Sequence, residues 1–346
     1  MRQLTYVKPN VLEWWDVPAP RLHGDGEAIV RPLAVTRCDL DLLIANGSAG
    51  FEGPFSIGHE TTAIVTDVGD KVTAVKPGDL VIVPIQISCG TCGACRRGLT
   101  YACQSVPFRS SYGLKPVCGV DYGGALSDAL RVPFADHMLI KHPDELAPSQ
   151  TASLADSATD AFCAVAPTLA EHPGAEVLVV GGRAQSLGPL VAHAALALGS
   201  RRVVYVDIDA TRLAKAKSLG AEVIEVASLS VIEPPGLFPL TIDADGSNDS
   251  LALALRAVEP GGVCQRMYGD FRETTPVPLR HMYGIGVTLK IGRVNARARL
   301  PECLDHVRCG HYHPELMLTR RVRFEDAHEA IKDPTMKVVF LRDGIE

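Results

Sequence analysis

What the sequence lacks narrows its class first. No stretch approaches the ~18 uninterrupted apolar residues of a membrane-spanning helix, so no bilayer-spanning segment is expected. The N-terminus, MRQLTYVKPNVLEWW, has no apolar core of the kind a secretory leader carries, and the C-terminus shows no anchor or address signal. A cytoplasmic protein is expected. Positive charge is not in surplus either: 34 Lys and Arg against 40 Asp and Glu leave a net charge of −6. Nucleic acid and anionic membrane surfaces are therefore disfavoured as partners. Internal repeats and low-complexity linkers are also missing. What remains is ordinary globular material, 346 residues of which 47% are apolar and 21% charged. That is too apolar for intrinsic disorder and enough for two domains at about 150 residues each.

Ten cysteines need an explanation, because a reducing compartment disfavours disulfides. Cys89, Cys92, Cys95 and Cys103 crowd into CGTCGACRRGLTYAC. Two residues between cysteines let adjacent thiolates reach one ion, and four thiolates close a tetrahedral shell with no open position. Gly90, Gly93 and Gly98 permit the tight turns such a loop needs. A structural zinc is the expectation. An iron–sulfur cluster uses the same ligand set, and four independent thiols are the bland alternative. A nucleic-acid-binding zinc ribbon is disfavoured, since Arg96 and Arg97 are the basic residues of the loop.

The first 150 residues or so are rich in Gly and Pro and carry short apolar runs, among them Ala28–Val30, Ala63–Val68 and Leu80–Val83. Turn signals such as Val68-Gly69-Asp70 and Lys76-Pro77-Gly78-Asp79 separate them, which predicts a mostly antiparallel, barrel-like region. The texture then changes. Ser153–Ala166 reads as a helix, Glu176–Val180 as a strand ending at Gly181-Gly182, and Leu187–Leu198 as a helix. A strand at Arg202–Val206 ends at Asp207, and a helix at Thr211–Leu219 ends at Gly220. Strands alternating with helices predict parallel βαβ units. Beyond about residue 292 the pattern is mixed again and closes on a strand-like run, Lys337–Leu341.

The loop after the first βαβ strand is GGRAQSLG, residues 181–188. Gly181 suits a tight turn and Gly188 close helix–strand packing. Amides of a helix starting near Ser186 and Leu187 would face a pyrophosphate, with Gly182 and Arg183 in the same loop. An ordinary βα turn is the alternative. Asp207 stands 19 residues beyond Gly188, where an acid accepts from the ribose hydroxyls of NAD and repels the extra phosphate of NADP. A cation at Arg183 would pull the other way.

Cys38 in VTRCDLDLL and His59-Glu60 in SIGHETTAIV are weak signals singly. A lone Cys is usually a small buried hydrophobe, and a lone His usually satisfies a local hydrogen bond. Their order, followed by the four-cysteine lobe and the βαβ unit, resembles the zinc-dependent medium-chain alcohol dehydrogenases over nearly the whole chain. Ala74-Val75-Lys76-Pro77-Gly78-Asp79 and Gly119-Val120-Asp121-Tyr122-Gly123-Gly124 add to the likeness.

The resemblance implies an α/β protein: a GroES-like β-barrel catalytic domain over residues 1–152, a Rossmann doubly wound parallel-sheet domain over 153–292, and a return segment, 293–346, completing the first. It implies two zinc ions per chain and NAD(H), with the substrate held between the domains. The catalytic zinc falls on Cys38, His59 and a third ligand in SLADSATDAF, which matches Asp156. Glu60 is a further ligand or a close neighbour. Without the resemblance Asp156 reads as a helix N-cap. Arg212 matches a basic position beside the ribose, otherwise a solvated helix face. Lys337 matches a residue that reaches the pyrophosphate, otherwise a solvated strand end. Gly261-Gly262 and Tyr268-Gly269 match later strand ends near the nicotinamide. Relatives are commonly homodimers or homotetramers.

The chain departs from the family at two places. The glycine loop is two residues longer, with Arg183 where a glycine is expected. The Ser or Thr and the His that relay the alcohol proton are replaced by Leu40 and Leu43. The expected activity is interconversion of an alcohol and a carbonyl, with zinc as Lewis acid and hydride exchanged with the nicotinamide. Reduction of an iminium or activated double bond is an alternative that leans less on a relay. A non-catalytic NAD- and zinc-binding relative is another, against which retention of Cys38, His59, Glu60 and Asp156 argues. Substrate identity resides in loops such as Asn46–Gly53 and Phe108–Lys115, where shape decides.

Overall fold

A computed structural model describes residues 1–230, 232–267 and 273–345. The chain divides into two units, one of residues 1–159, 294–308 and 314–346, the other of residues 160–293 and 309–313.

In the first unit the strands run in the order Arg320–Arg323, Val338–Leu341, Ala28–Thr36, Glu60–Val68, Leu80–Val83 and Ile140–Lys141, with Leu130–Val132 also on Ala28–Thr36. The pairings are antiparallel except that of Arg320–Arg323 with Val338–Leu341, which is parallel. A smaller sheet joins Val11–Asp16, Arg2–Lys8 and Phe55–Ser56. Strand Ala28–Thr36 is buried along nearly its whole length because its inward face switches. Register shifts at Ile29/Val30 and Pro32/Ala34 bend it. Pro32 lacks an N–H for the ladder and sits at such an irregularity. Ala28 and Val30 therefore pack with Val65, Val81 and Val83, while Val35 packs with Ile57, Phe324 and Phe340.

One register matters for function. Thr36 pairs with Glu60, so Cys38, just past the end of one strand, meets His59, just before the start of the next. Antiparallel pairing brings together two residues that are distant in sequence.

The second unit is built on six parallel strands in the order Glu222–Glu225, Val203–Asp207, Val177–Val180, Phe238–Asp243, Val258–Arg266 and Thr288–Ile291. Val177–Val180 and Val203–Asp207 are continuous buried runs rather than alternating ones, as a parallel sheet covered on both faces requires. Helices Leu187–Ala197, Ala210–Ser218 and Asn248–Arg256 form the connections. Asp209 caps the second by accepting from the Arg212 amide, and Gly220, at φ +103°, follows its end. Strand order reverses between Val177–Val180 and Phe238–Asp243, which puts the glycine loop at the switch point where doubly wound sheets bind ligands.

Where a helix over Ser153–Ala166 was expected, the chain breaks. A 3₁₀ turn spans Ala152–Ala155, Asp156 takes a non-helical backbone (φ −151°, ψ −89°), and an α-helix runs Ser157–Glu171. The Glu60 carboxylate accepts from the Ser157 amide at 3.1 Å. An anion from a distant strand thus satisfies the start of this helix.

Candidate active site and metal centres

The break at Asp156 supplies the third corner of a buried trio. The donor atoms of Cys38, His59 and Asp156 all lie within 4.8 Å of one another, in the first unit. Asp156 Oδ2 is 3.4 Å from His59 Nε2, and Asp41 Oδ1 is 3.5 Å from His59 Nδ1. Neither ring nitrogen of the fully buried His59 has a hydrogen-bond partner among the described residues. Asp41, in the first turn of helix Asp39–Ala45, also accepts from the Cys38 amide at 3.0 Å. Imidazole backed by a carboxylate is the usual support of a metal-ligating histidine.

Charge fits the same reading. Burial pushes the Cys38 thiol well up, with Asp156 and Glu60 adding to it. Burial also raises Asp41. His59 loses hydration through burial, yet Asp41, Asp156 and Glu60 outweigh that loss and hold it at about 9. An excess of buried anionic groups with one orphaned imidazole suits a divalent cation, and thiolate, imidazole and carboxylate are all zinc donors.

Glu60, expected as a further ligand or a close neighbour, lies outside this donor set. Its oxygens are taken by the Ser157 amide, by Thr36 Oγ1 at 2.5 Å and by Lys337 Nζ at 2.9 Å, all in the interior. Lys337 differs from expectation as well. It is fully buried, and its Nζ also donates to the Arg37 carbonyl at 3.1 Å and to Ser157 Oγ at 2.8 Å. Its ammonium is spent on Glu60, not offered to a pyrophosphate. Sequence reasoning missed Arg37, which is almost wholly buried and donates to the carbonyls of Asp333, Thr335 and Met336. A cation beside the Cys38 signal was the available clue. Leu40 packs on the apolar core beside this site.

The four-cysteine lobe is a second centre in the same unit. The Sγ atoms of Cys89, Cys92, Cys95 and Cys103 lie within 4.8 Å of one another, and none is in a disulfide. Cys92 Sγ and Cys103 Sγ are 4.0 Å apart. A tetrahedral shell at the zinc–sulfur distance of about 2.3 Å separates its sulfurs by roughly 3.8 Å, so the spacing suits one ion. Amides of Cys89, Cys92 and Gln104 donate to the sulfurs at 3.3 Å. Burial opposes ionisation of Cys89, but Ser105 and Thr91 donate to its sulfur and bring it to about 5. Asn295 pins the lobe to the return segment. It accepts from the Thr100 amide and hydroxyl at 3.1 and 2.8 Å and donates to the Gly98 carbonyl.

In the second unit Gly181, Gly182 and Arg183 follow strand Val177–Val180, and Ser186 precedes helix Leu187–Ala197, which contains Gly188 near its start. The Arg183 amide donates to Asp245 Oδ1 at 2.7 Å. Strand, glycine turn and helix start fit a dinucleotide's phosphates. Asp207 and Arg212 are brought together beside the loop, but facing each other: Arg212 Nη2 is 2.8 Å from Asp207 Oδ1. Gly261 and Gly262 depart from expectation. They lie in the middle of strand Val258–Arg266, short of its C-terminal end. Tyr268 and Gly269 fall outside the described residues.

A buried thiol–imidazole–carboxylate trio on a barrel-like unit, in a chain whose other unit is a doubly wound sheet, fits a metal-dependent dehydrogenase. Residues 24–144 match the alcohol dehydrogenase GroES-like domain. A probable zinc-binding alcohol dehydrogenase of Mycobacterium tuberculosis is 28% identical over 314 residues, 90% of this chain and 79% of that one. A glutathione-independent formaldehyde dehydrogenase of Pseudomonas aeruginosa is 30% identical over 239 residues, 65% of this chain and 59% of that one. The solved structure of the alcohol dehydrogenase TADH from Thermus sp. ATN1 superposes with a TM-score of 0.88 at 28% identity, covering 99% of this chain and 100% of that one. Residues 24–144 thus carry the GroES-like domain of alcohol dehydrogenases, and the chain over its length is similar to zinc-binding alcohol dehydrogenases and is an oxidoreductase.

Proposed function

We propose that the chain interconverts an alcohol and a carbonyl by hydride exchange with NAD(H), at a zinc held by Cys38, His59 and Asp156. The unpartnered, fully buried His59 between a thiol and two carboxylates carries this reading. Zinc bound there supplies Lewis-acid polarisation of the substrate oxygen, and the nicotinamide gives or takes the hydride. Asp41 orients the His59 ring. Glu60, neutralised by Lys337, fixes the start of helix Ser157–Glu171 and with it the backbone that presents Asp156. Cys89, Cys92, Cys95 and Cys103 hold a second, structural zinc. The unit of residues 1–159, 294–308 and 314–346 serves as the catalytic domain and that of 160–293 and 309–313 as the nucleotide domain. This division falls a few residues later than the expected 152/153 and keeps Asp156 with Cys38 and His59.

Leu40, packed on the core, carries no proton. That favours, as a second reading, reduction of an iminium or activated double bond, where no alcohol hydroxyl is ionised. A small-molecule substrate, a homodimer or homotetramer and a cytoplasmic setting complete the proposal. Among the described residues no helix is long and apolar enough to cross a membrane. The test is a screen of alcohols, carbonyls and imines by nicotinamide absorbance, run on protein of measured zinc content. Turnover of a carbonyl with NADH is expected. Imine reduction without any alcohol or carbonyl turnover would select the second reading. Inertness of a zinc-loaded, NADH-binding protein toward every class would refute both.

A further inference from the structure

We propose that Asp207 is a structural anchor rather than a ribose ligand, and that the chain consequently takes NADPH about as readily as NADH. This rests on the reading that the second unit holds a nicotinamide nucleotide. The Asp207 side chain is fully buried. Its Oδ2 accepts from Tyr205 Oη at 2.5 Å and from Arg212 Nε at 2.8 Å. Its Oδ1 accepts from Arg212 Nη2 at 2.8 Å and from the amides of Ile208 and Asp209 at 2.6 and 3.0 Å. A carboxylate offers about four lone-pair sites, and five donors already occupy this one. A ribose diol reaches it only by displacing the Arg212 guanidinium, itself 7% exposed, from a bidentate contact.

Tyr205 makes the lock rigid. It lies two residues before Asp207 and so on the same face of the strand, and it is fully buried. A Cβ on Gly181 would come within 2.2 Å of its hydroxyl, and one on Gly188 within 2.8 Å. These two glycines are thus required by the protein's own phenol. Gly182 is required likewise by Asp245, whose Oδ1 would be 2.0 Å from a Cβ there. The glycine signature and the strand-end acid, which together suggested selective NAD binding, are both accounted for by this internal packing.

Discrimination against a 2′-phosphate needs an acid whose charge is uncompensated and faces the ribose. Here each acid around the loop has an arginine. Asp207 pairs with one edge of Arg212, Asp209 with Arg212 Nη1 at 3.8 Å, and Asp245 with Arg183 at 3.6 Å.

The test is equilibrium binding of NADH and NADPH to the zinc-loaded protein, read by nicotinamide fluorescence, for wild type, Arg212→Ala and Tyr205→Phe. Wild type is expected to bind the two within about threefold of each other. Arg212→Ala uncovers the carboxylate, tightening NADH and producing a preference for it of about tenfold or more. Should that variant fail to fold, Tyr205→Phe, which keeps the ring, is expected to shift the ratio toward NADH by about threefold. A wild-type preference for NADH of about tenfold or more, or weaker NADH binding in the variant that folds, overturns the proposal and leaves the nucleotide reading standing. Binding of neither nucleotide by wild type overturns both.

Discussion

His59 is flanked by two carboxylates at 3.4–3.5 Å, in ion-pair contact but without well-formed hydrogen bonds from either ring nitrogen to any described residue. A buried imidazole left this way is costly unless another group completes its environment. Asp41 then matters through His59, not through substrate. Asp41→Asn is expected to lower zinc affinity at this site by about 10–100-fold, the usual effect of losing a ligand's supporting carboxylate. Chelator competition on the purified protein measures it, and an unchanged affinity would remove Asp41 from the site's support. Leu40 poses the opposite question, a side chain too inert for its place. Proton transfer by a positioned group contributes about 10²–10⁴-fold. Leu40→Thr is expected to raise alcohol oxidation at neutral pH by some part of that range. The comparison is single-turnover hydride transfer in both proteins, and no gain would mean that water already reaches the substrate oxygen.

Elements separate what the sequence could reveal from what it could not. The βαβ order was legible because buried parallel strands read as apolar runs, and Val177–Val180 and Val203–Asp207 fall within a residue or two of expectation. The cysteine lobe was legible because its donors are consecutive in the chain. The break before Ser157 was not, since the group that stabilises it, Glu60, belongs to a strand far away in sequence. Lys337 was misread for the same reason: a basic residue at a strand end says nothing of the carboxylate it will meet. Tyr205 carried no signal at all, because only folding reveals that a phenol fills the glycine turn. The return segment offers a prediction at this scale. Asn295 satisfies the Thr100 amide and the Gly98 carbonyl through its side-chain amide. Asn295→Ala is expected to cost about 1–3 kcal/mol, the penalty of stranded polar groups, in denaturant unfolding. Zinc content should stay at the wild-type value, since no sulfur ligand is touched, and loss of metal would place Asn295 in the centre itself.

For the molecule as a whole, two clusters of metal donors in one unit predict two ions per chain with separable consequences. The cysteine lobe has almost no apolar core of its own beyond its thiols and a few neighbours such as Val106 and Phe134. Its ion therefore supplies folding free energy directly. Cys103→Ser should release one zinc and lower the melting temperature, while nucleotide binding in the other unit persists. The trio differs because the first unit's core surrounds it, with Val35, Ile57, Phe324 and Phe340 all buried there. Asp156→Ala removes a zinc donor but leaves that core, and the Glu60–Lys337 pair beside it, in place. It should release the other zinc and abolish hydride transfer while the melting temperature stays near that of the metal-free wild-type site. Native mass spectrometry counts the ions, and calorimetry follows the unfolding. One zinc in the wild type, or two retained in Asp156→Ala, would dismantle the assignment of Cys38, His59 and Asp156. Equal loss of stability in both variants would instead make the two centres parts of one folding unit.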